Sequence, residues 1–229
     1  AVASAGDVNG DGIDDVLIGA QKESTGGVEA GSAYLFFGTS MLDTRAIDLS
    51  EADYKFIGDT DGTGRFLASA GDVDGDGLDD LLIGARGDAY VVLARSIGSE
   101  RELTLSTDAD YRLRCGSCGS EAGTPFASAG DVDGDGLADI LVGAPYDKEE
   151  LGGAAAGASY LVLGSSLGSS TDISLSADAD YTFIGEFEYS YSGTGVAGAG
   201  DVDGDGLADI LIGVPGDKTA ADYGAGSGG

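Results

Sequence analysis

Four stretches of the chain are near copies of one another: ASAGDVNGDGIDDVLIGA, ASAGDVDGDGLDDLLIGA, ASAGDVDGDGLADILVGA and AGAGDVDGDGLADILIGV. Their acidic parts open at Asp7, Asp72, Asp131 and Asp201, at offsets of 65, 59 and 70 residues. A unit recurring at this spacing restricts the chain to arrays in which each module buries its apolar face against the next.

The rest of each unit recurs too. An apolar run follows at Ala33–Phe37, Ala89–Leu93 and Ser159–Leu163, and then a segment opening on Asp53-Tyr54, Asp110-Tyr111 and Asp180-Tyr181. These runs are too short for ordinary helices and are separated by Gly, Ser and Asp turns, so each unit reads as four short strands. Four strands per unit is the arithmetic of a propeller blade, and the expected fold class is all-β, a β-propeller of four-stranded blades. The alternatives are a β-solenoid, for whose coils the units are long, and a tandem sandwich. The repeats are expected over residues 1–58, 59–115, 116–185 and 186–229, as a single partial propeller. Two units read as complete and two as cut, which leaves open strand edges that self-association of copies could cover.

Each acidic loop places Asp or Asn at positions 1, 3, 5 and 9. These are Asp7, Asn9, Asp11 and Asp15; Asp72, Asp74, Asp76 and Asp80; Asp131, Asp133, Asp135 and Asp139; and Asp201, Asp203, Asp205 and Asp209. Alternate positions of a tight loop can converge their oxygens on one hard cation, and the glycine at position 6 permits the turn. Position 7 is apolar each time (Ile13, Leu78, Leu137, Leu207), so only its backbone carbonyl can ligate while its side chain is expected to enter the core. An oxygen-only set favours Ca²⁺ over Mg²⁺, and the absence of His argues against zinc and copper. The expectation is about four Ca²⁺, one per loop. Carboxylates crowded together without metal would repel, so the ion should contribute to folding. An EF-hand is excluded because its position-12 Glu is replaced by Ile18, Ile83, Val142 and Ile212 in strand-like runs. Dockerin-like loops carry helices and a shorter period, and fit no better.

Composition narrows the partners. A formal charge of −30, with 11 basic against 41 acidic residues, excludes nucleic acid and disfavours anionic membrane surfaces. Four Ca²⁺ would bring that charge to −22, so the protein stays acidic. No stretch approaches the ~20 apolar residues that span a bilayer, and direct membrane insertion is not expected. The chain opens without Met or a charged n-region, so any signal peptide was removed or lay upstream, and export is argued indirectly.

The sequence GDVNGDGIDDVLIGA and its three copies, with Gly143-Ala144-Pro145 and the altered Gly213-Val214-Pro215, resembles FG-GAP repeats, the blades of the integrin-α head and of bacterial surface proteins. The resemblance covers essentially the whole chain. Its FG glycine would correspond to Gly64, Gly123 and Gly193, preceded by Thr63, Ala122 and Ser192 instead of Phe, with Phe66 and Phe126 as core rings slightly later. The resemblance implies a seven-bladed propeller with calcium loops near blade edges, of which this chain holds about four repeats. It also implies an extracellular or cell-surface setting.

The functional expectation is a calcium-binding module for cell adhesion or extracellular protein interaction. No nucleophile system involving His is possible, and the paired carboxylates are already assigned to metal, so no enzyme activity is expected. The alternative is a lectin-like module, with Tyr146, Tyr189 and Tyr191 stacking on a glycan, or a non-catalytic accessory domain of a secreted hydrolase. Cys115 and Cys118 form a CGSC element in one repeat, read as a short-range disulfide of an exported protein, with a reduced pair as the alternative.

Overall fold

The structure, a computed structural model, describes residues 1–41, 46–59, 62–116, 125–147, 155–168 and 170–216. In the first sheet β1 (Val2–Gly6), β2 (Asp15–Ala20), β3 (Ser32–Phe36) and β4 (Tyr54–Ile57) form an antiparallel meander. The second repeats it with β5 (Leu67–Gly71), β6 (Asp80–Ala85) and β7 (Asp88–Val92). The chain then makes β8 (Glu102–Thr104) before β9 (Tyr111–Arg114) completes the sheet. The third uses β10 (Phe126–Gly130), β11 (Asp139–Ala144) and β12 (Ala158–Val162), makes β13 (Asp172–Ser174) and closes with β14 (Tyr181–Ile184). A fourth begins with the pair β15 (Gly195–Gly200) and β16 (Asp209–Gly213). All-β blades are thus what the periodicity predicts, and the central strands β6 and β11 are buried along their whole length because both faces meet neighbouring sheets.

The four-strand reading of each unit misses one element. β8 leaves its own sheet and pairs in parallel with β4 of the preceding one, and β13 does the same to β9. The register sets Leu103 beside Phe56 and Ile173 beside Leu113. One helical turn follows each: Leu105–Asp108 and Leu175–Asp178 insert Leu105 and Leu175 into the same cores. Each of these segments is a latch between successive blades, and it closes a sheet edge that would otherwise stand open. Phe56 and Leu113 are 0% exposed under their latches, whereas Phe183, at the same place in β14, is 37% exposed. Among the described residues β14 carries no fifth strand.

Gly64 and Gly193 hold equivalent places in the crossovers from one sheet to the next, where their N–H groups donate to the carbonyls of Gly84 and Gly213. Gly64 has φ +80, and a Cβ there would stand 2.4 Å from the Ser32 carbonyl oxygen, so backbone meets backbone only without a side chain. Gly123 lies outside the described residues. Phe126 is buried and meets Phe66 edge to face at 6.4 Å. Cys115, buried at the end of β9, is disulfide-bonded. Cys118 lies outside the described residues.

Candidate metal centre

Each acidic loop joins the first two strands of its sheet. The first strand ends in a bulge whose glycine has positive φ (Gly6, Gly71, Gly130, Gly200), which turns the chain so that position 1 opens the loop. Position 1 then gathers backbone. Asp72 Oδ1 accepts from the N–H groups of Gly75 and Asp76 at 2.7 and 3.0 Å, and its Oδ2 accepts from Gly77 at 2.9 Å. Asp7, Asp131 and Asp201 repeat the pattern.

Position 9 ties the loop to the sheet. Asp15, Asp80 and Asp139 are 0% exposed, and each carboxylate accepts two backbone N–H groups. One comes from position 2 of the loop (Val8, Val73, Val132) and one from the turn after the third strand (Gly38, Ala94, Gly164). Asp209 accepts from Val202 in the same way. Burial, the largest influence, pushes the carboxyls of Asp15, Asp80 and Asp139 up against the opposing effect of these N–H groups, and nearby loop aspartates push in the same direction. Asp80 reaches about 7. A buried carboxylate held among others calls for a proton or a cation.

The structure brings positions 1, 3 and 9 together in three loops. Asp72, Asp74 and Asp80, then Asp131, Asp133 and Asp139, then Asp201, Asp203 and Asp209 each offer oxygens lying within 4.8 Å of one another. Among the described residues the first loop forms no such carboxylate trio, because Asn9 stands at position 3. There the Asn9 amide donates to Asp11 Oδ2, which also accepts from the Thr39 hydroxyl. At position 5, Asp76, Asp135 and Asp205 fall outside the trios, and one oxygen of each, like that of Asp11, accepts from the N–H at position 7. Oxygen atoms alone make up the donor set, which fits a hard divalent cation.

Position 7 corrects one expectation. Ile13 and Leu207 are 38% and 36% exposed, and Leu78 and Leu137 are half-buried, so none of these side chains is fully enclosed, although Leu78 packs against the edge of the core. A Cβ added at Gly10, Gly75 or Gly134 would lie 3.0 Å from a methyl of Leu78, Leu137 or Leu207, so each leucine rests on the glycine of the preceding loop. The backbones join as well: N–H groups of Asp79, Ala138 and Ala208 donate to the carbonyls of Asp7, Asp72 and Asp131. The loops therefore form one file along the blades. Asp79, which the spacing rule passed over, reaches across this file so that its Oδ2 accepts from the Asp7 N–H at 2.8 Å. The doubled acidic residue at positions 8 and 9 of the first two copies was the available signal.

The three candidate tyrosines also meet, at the other end of the sheets. Tyr146 follows β11, and Tyr189 and Tyr191 lie between β14 and β15. Tyr146 and Tyr191 pack edge to face at 5.7 Å, and Tyr189 and Tyr191 lie 6.4 Å apart. Tyr189 and Tyr191 both have positive φ, uncommon for non-glycine residues. Tyr146 and Tyr191 border a cleft of about 290 Å³ with Phe66, Pro125, Pro145 and Pro215.

Comparison with known proteins agrees with this architecture. Residues 1–36, 125–162 and 192–228 match the FG-GAP repeat, and residues 72–142 match the FG-GAP-like repeat. The chain is 30% identical over 152 residues to integrin alpha-4 of Xenopus laevis, covering 63% of this chain and 14% of that one. It is 33% identical over 153 residues to human integrin alpha-IIb, covering 60% and 14%. To human phosphatidylinositol-glycan-specific phospholipase D it is 28% identical over 160 residues, covering 64% of this chain and 18% of the relative. It thus spans a small part of the length of each. Repeat motif, blade topology and these matches coincide, and the chain belongs to the FG-GAP repeat family.

Proposed function

We propose that this chain is a calcium-stabilised, non-catalytic propeller module acting in cell adhesion or extracellular protein interaction. The observation that carries the reading is the recurrence of one carboxylate trio at the same place in three successive sheets. Asp72, Asp74 and Asp80, with Asp131, Asp133, Asp139 and Asp201, Asp203, Asp209, would hold one Ca²⁺ per loop. Asp76, Asp135 and Asp205 and the carbonyls of Leu78, Leu137 and Leu207 would complete those shells. Asp7, Asn9, Asp11, Asp15 and the Ile13 carbonyl would form a fourth site of lower charge. The bound ion would supply positive charge that relieves repulsion among the carboxylates, and the file of hydrogen-bonded loops would pass that stabilisation from blade to blade.

The similarity to integrin alpha chains supports an extracellular protein ligand and favours adhesion over the lectin-like alternative. It also supports placement outside the cell, where millimolar calcium suits loops of this kind. Tyr146, Tyr189 and Tyr191 are suited to partner contact, since rigid rings give contact area at low entropic cost. Among the described residues no helix is long and apolar enough to cross a membrane. Calorimetric titration of chelator-stripped protein with Ca²⁺, paired with melting curves in calcium and in chelator, tests the proposal. Saturable uptake with a calcium-dependent melt is expected; no uptake and no shift would refute it.

A further inference from the structure

The four loops share a carboxylate plan, yet among the described residues one of them faces a cation belonging to the protein. Arg95 lies in the turn that follows β7 (Ala94–Ser96), and its Nη1 stands 2.6 Å from Asp74 Oδ2 in the second loop. The Asp74 side chain is 11% exposed; its Oδ2 is shut off from solvent and has no aligned hydrogen-bond donor among the described residues. The contact is therefore an ion pair by distance and charge. Oδ1 of the same residue accepts from the Asp76 N–H at 3.1 Å, so both oxygens are engaged. Corresponding turns carry Thr39 in the first repeat and Ser165 in the third, both uncharged.

The second and third loops hold the same four carboxylates at positions 1, 3, 5 and 9. Position 8 is Asp79 in one and Ala138 in the other, but Asp79 turns to the Asp7 N–H of the preceding loop, so among the described residues this guanidinium is the charge that sets the second loop apart. We propose that Arg95 is the resident counter-ion of the second loop, satisfying Asp74 in metal-free protein and making this loop a weaker calcium site than the third. The proposal rests on the calcium reading above. A divalent ion entering the loop must displace the guanidinium or lie beside it. Arg95 can yield, because its side chain is 53% exposed and has water to move into. A guanidinium beside the loop repels an incoming divalent ion, and because Arg95 can move out into screening water the expected scale is about a tenfold loss of affinity.

The test compares the full chain with Arg95→Ser, which copies the third repeat, and Arg95→Lys, which keeps the charge. Calcium chloride is titrated into chelator-stripped protein by calorimetry, and melting is followed in chelator. Arg95→Ser should tighten one binding step by about tenfold and lower the melting temperature in chelator, while Arg95→Lys stays near the parent in both. An Arg95→Ser protein whose calcium steps are unchanged or weaker overturns the proposal, since a supporting ligand partner would behave that way. If neither parent nor variant takes up calcium, the calcium reading falls with the affinity half of the proposal. The chelator melt then decides the counter-ion role: a lowered value in Arg95→Ser keeps it and an unchanged value overturns it.

Discussion

Replacing Asp139 separates two tasks that meet at position 9 of the third loop. Its Oδ2 accepts the Val132 N–H at 2.8 Å and its Oδ1 the Gly164 N–H at 2.9 Å, with the residue 0% exposed. Asparagine keeps one acceptor and turns an amide N–H₂ towards the other donor; alanine removes both. A buried donor left unpaired costs about 1–3 kcal/mol, so Asp139→Asn should lose about that much in chelator and Asp139→Ala roughly twice as much. One effect opposes this: burial pushes the Asp139 carboxyl up, so its charge is itself unfavourable in metal-free protein and a neutral amide escapes it. The asparagine variant should fall in the lower half of its range. At about 2–4 °C per kcal/mol for a chain of this size, that is a drop of about 2–8 °C.

Calcium should add a second loss, because the amide is a poorer ligand than the carboxylate. Asp135 provides the contrast: it is exposed, and its Oδ1 accepts one N–H, that of Leu137 at 2.9 Å. Asp135→Ala should cost less than about 1 kcal/mol in chelator while losing part of the gain that calcium confers. Urea unfolding and melting of Asp139→Asn and Asp135→Ala, each in chelator and in calcium, give the four comparisons. An Asp139→Asn protein as stable as the parent in chelator would refute the buried bridge. Full calcium gains in both variants would refute the ligand assignment.

Metal-free stability should depend on pH with a definite sign. The folded Asp80 carboxyl sits at about 7 against 3.8 unfolded, so its contribution is fully present below 3.8 and is lost as pH rises through 7. Asp15 and Asp139 act in the same direction, and chelator melts should fall from pH 4 to 8, with a smaller fall in calcium; a rise would refute the argument. Leu105→Ala or Leu175→Ala should destabilise by about 2–5 kcal/mol in urea unfolding because both anchor latches from within the core, whereas Leu49→Ala, 36% exposed, should cost less than about 1 kcal/mol. Equal losses at all three would contradict the latch. Gly64→Ala should lower the yield of folded protein far more than Gly62→Ala: both have positive φ, but only Gly64 would set a Cβ against backbone.

The sequence announces the loops and conceals the latches, and the reason is physical. A loop site is local: nine consecutive residues carry its carboxylates, its glycine and its apolar anchor, so four copies in register expose the pattern. Blade strands are readable for a similar reason, since each pairs with its neighbour along the chain. A latch pairs out of order and in parallel, with only three residues in β8 and β13, too few to show a period of two. Its anchor did leave a trace, because Leu49, Leu105 and Leu175 recur shortly before each DY dipeptide, but a leucine in a polar segment does not reveal which sheet it enters. Arg95 was hidden more completely: it lies in the turn after β7, and its charge acquires meaning only where folding returns that turn to Asp74. The same return brings Ala94 N–H to Asp80, so one short turn carries both a buried bridge to the loop and the cation that competes for it. Loop and turn must therefore be treated as a single unit, in which changing the turn alters the metal affinity of a loop whose own sequence is intact.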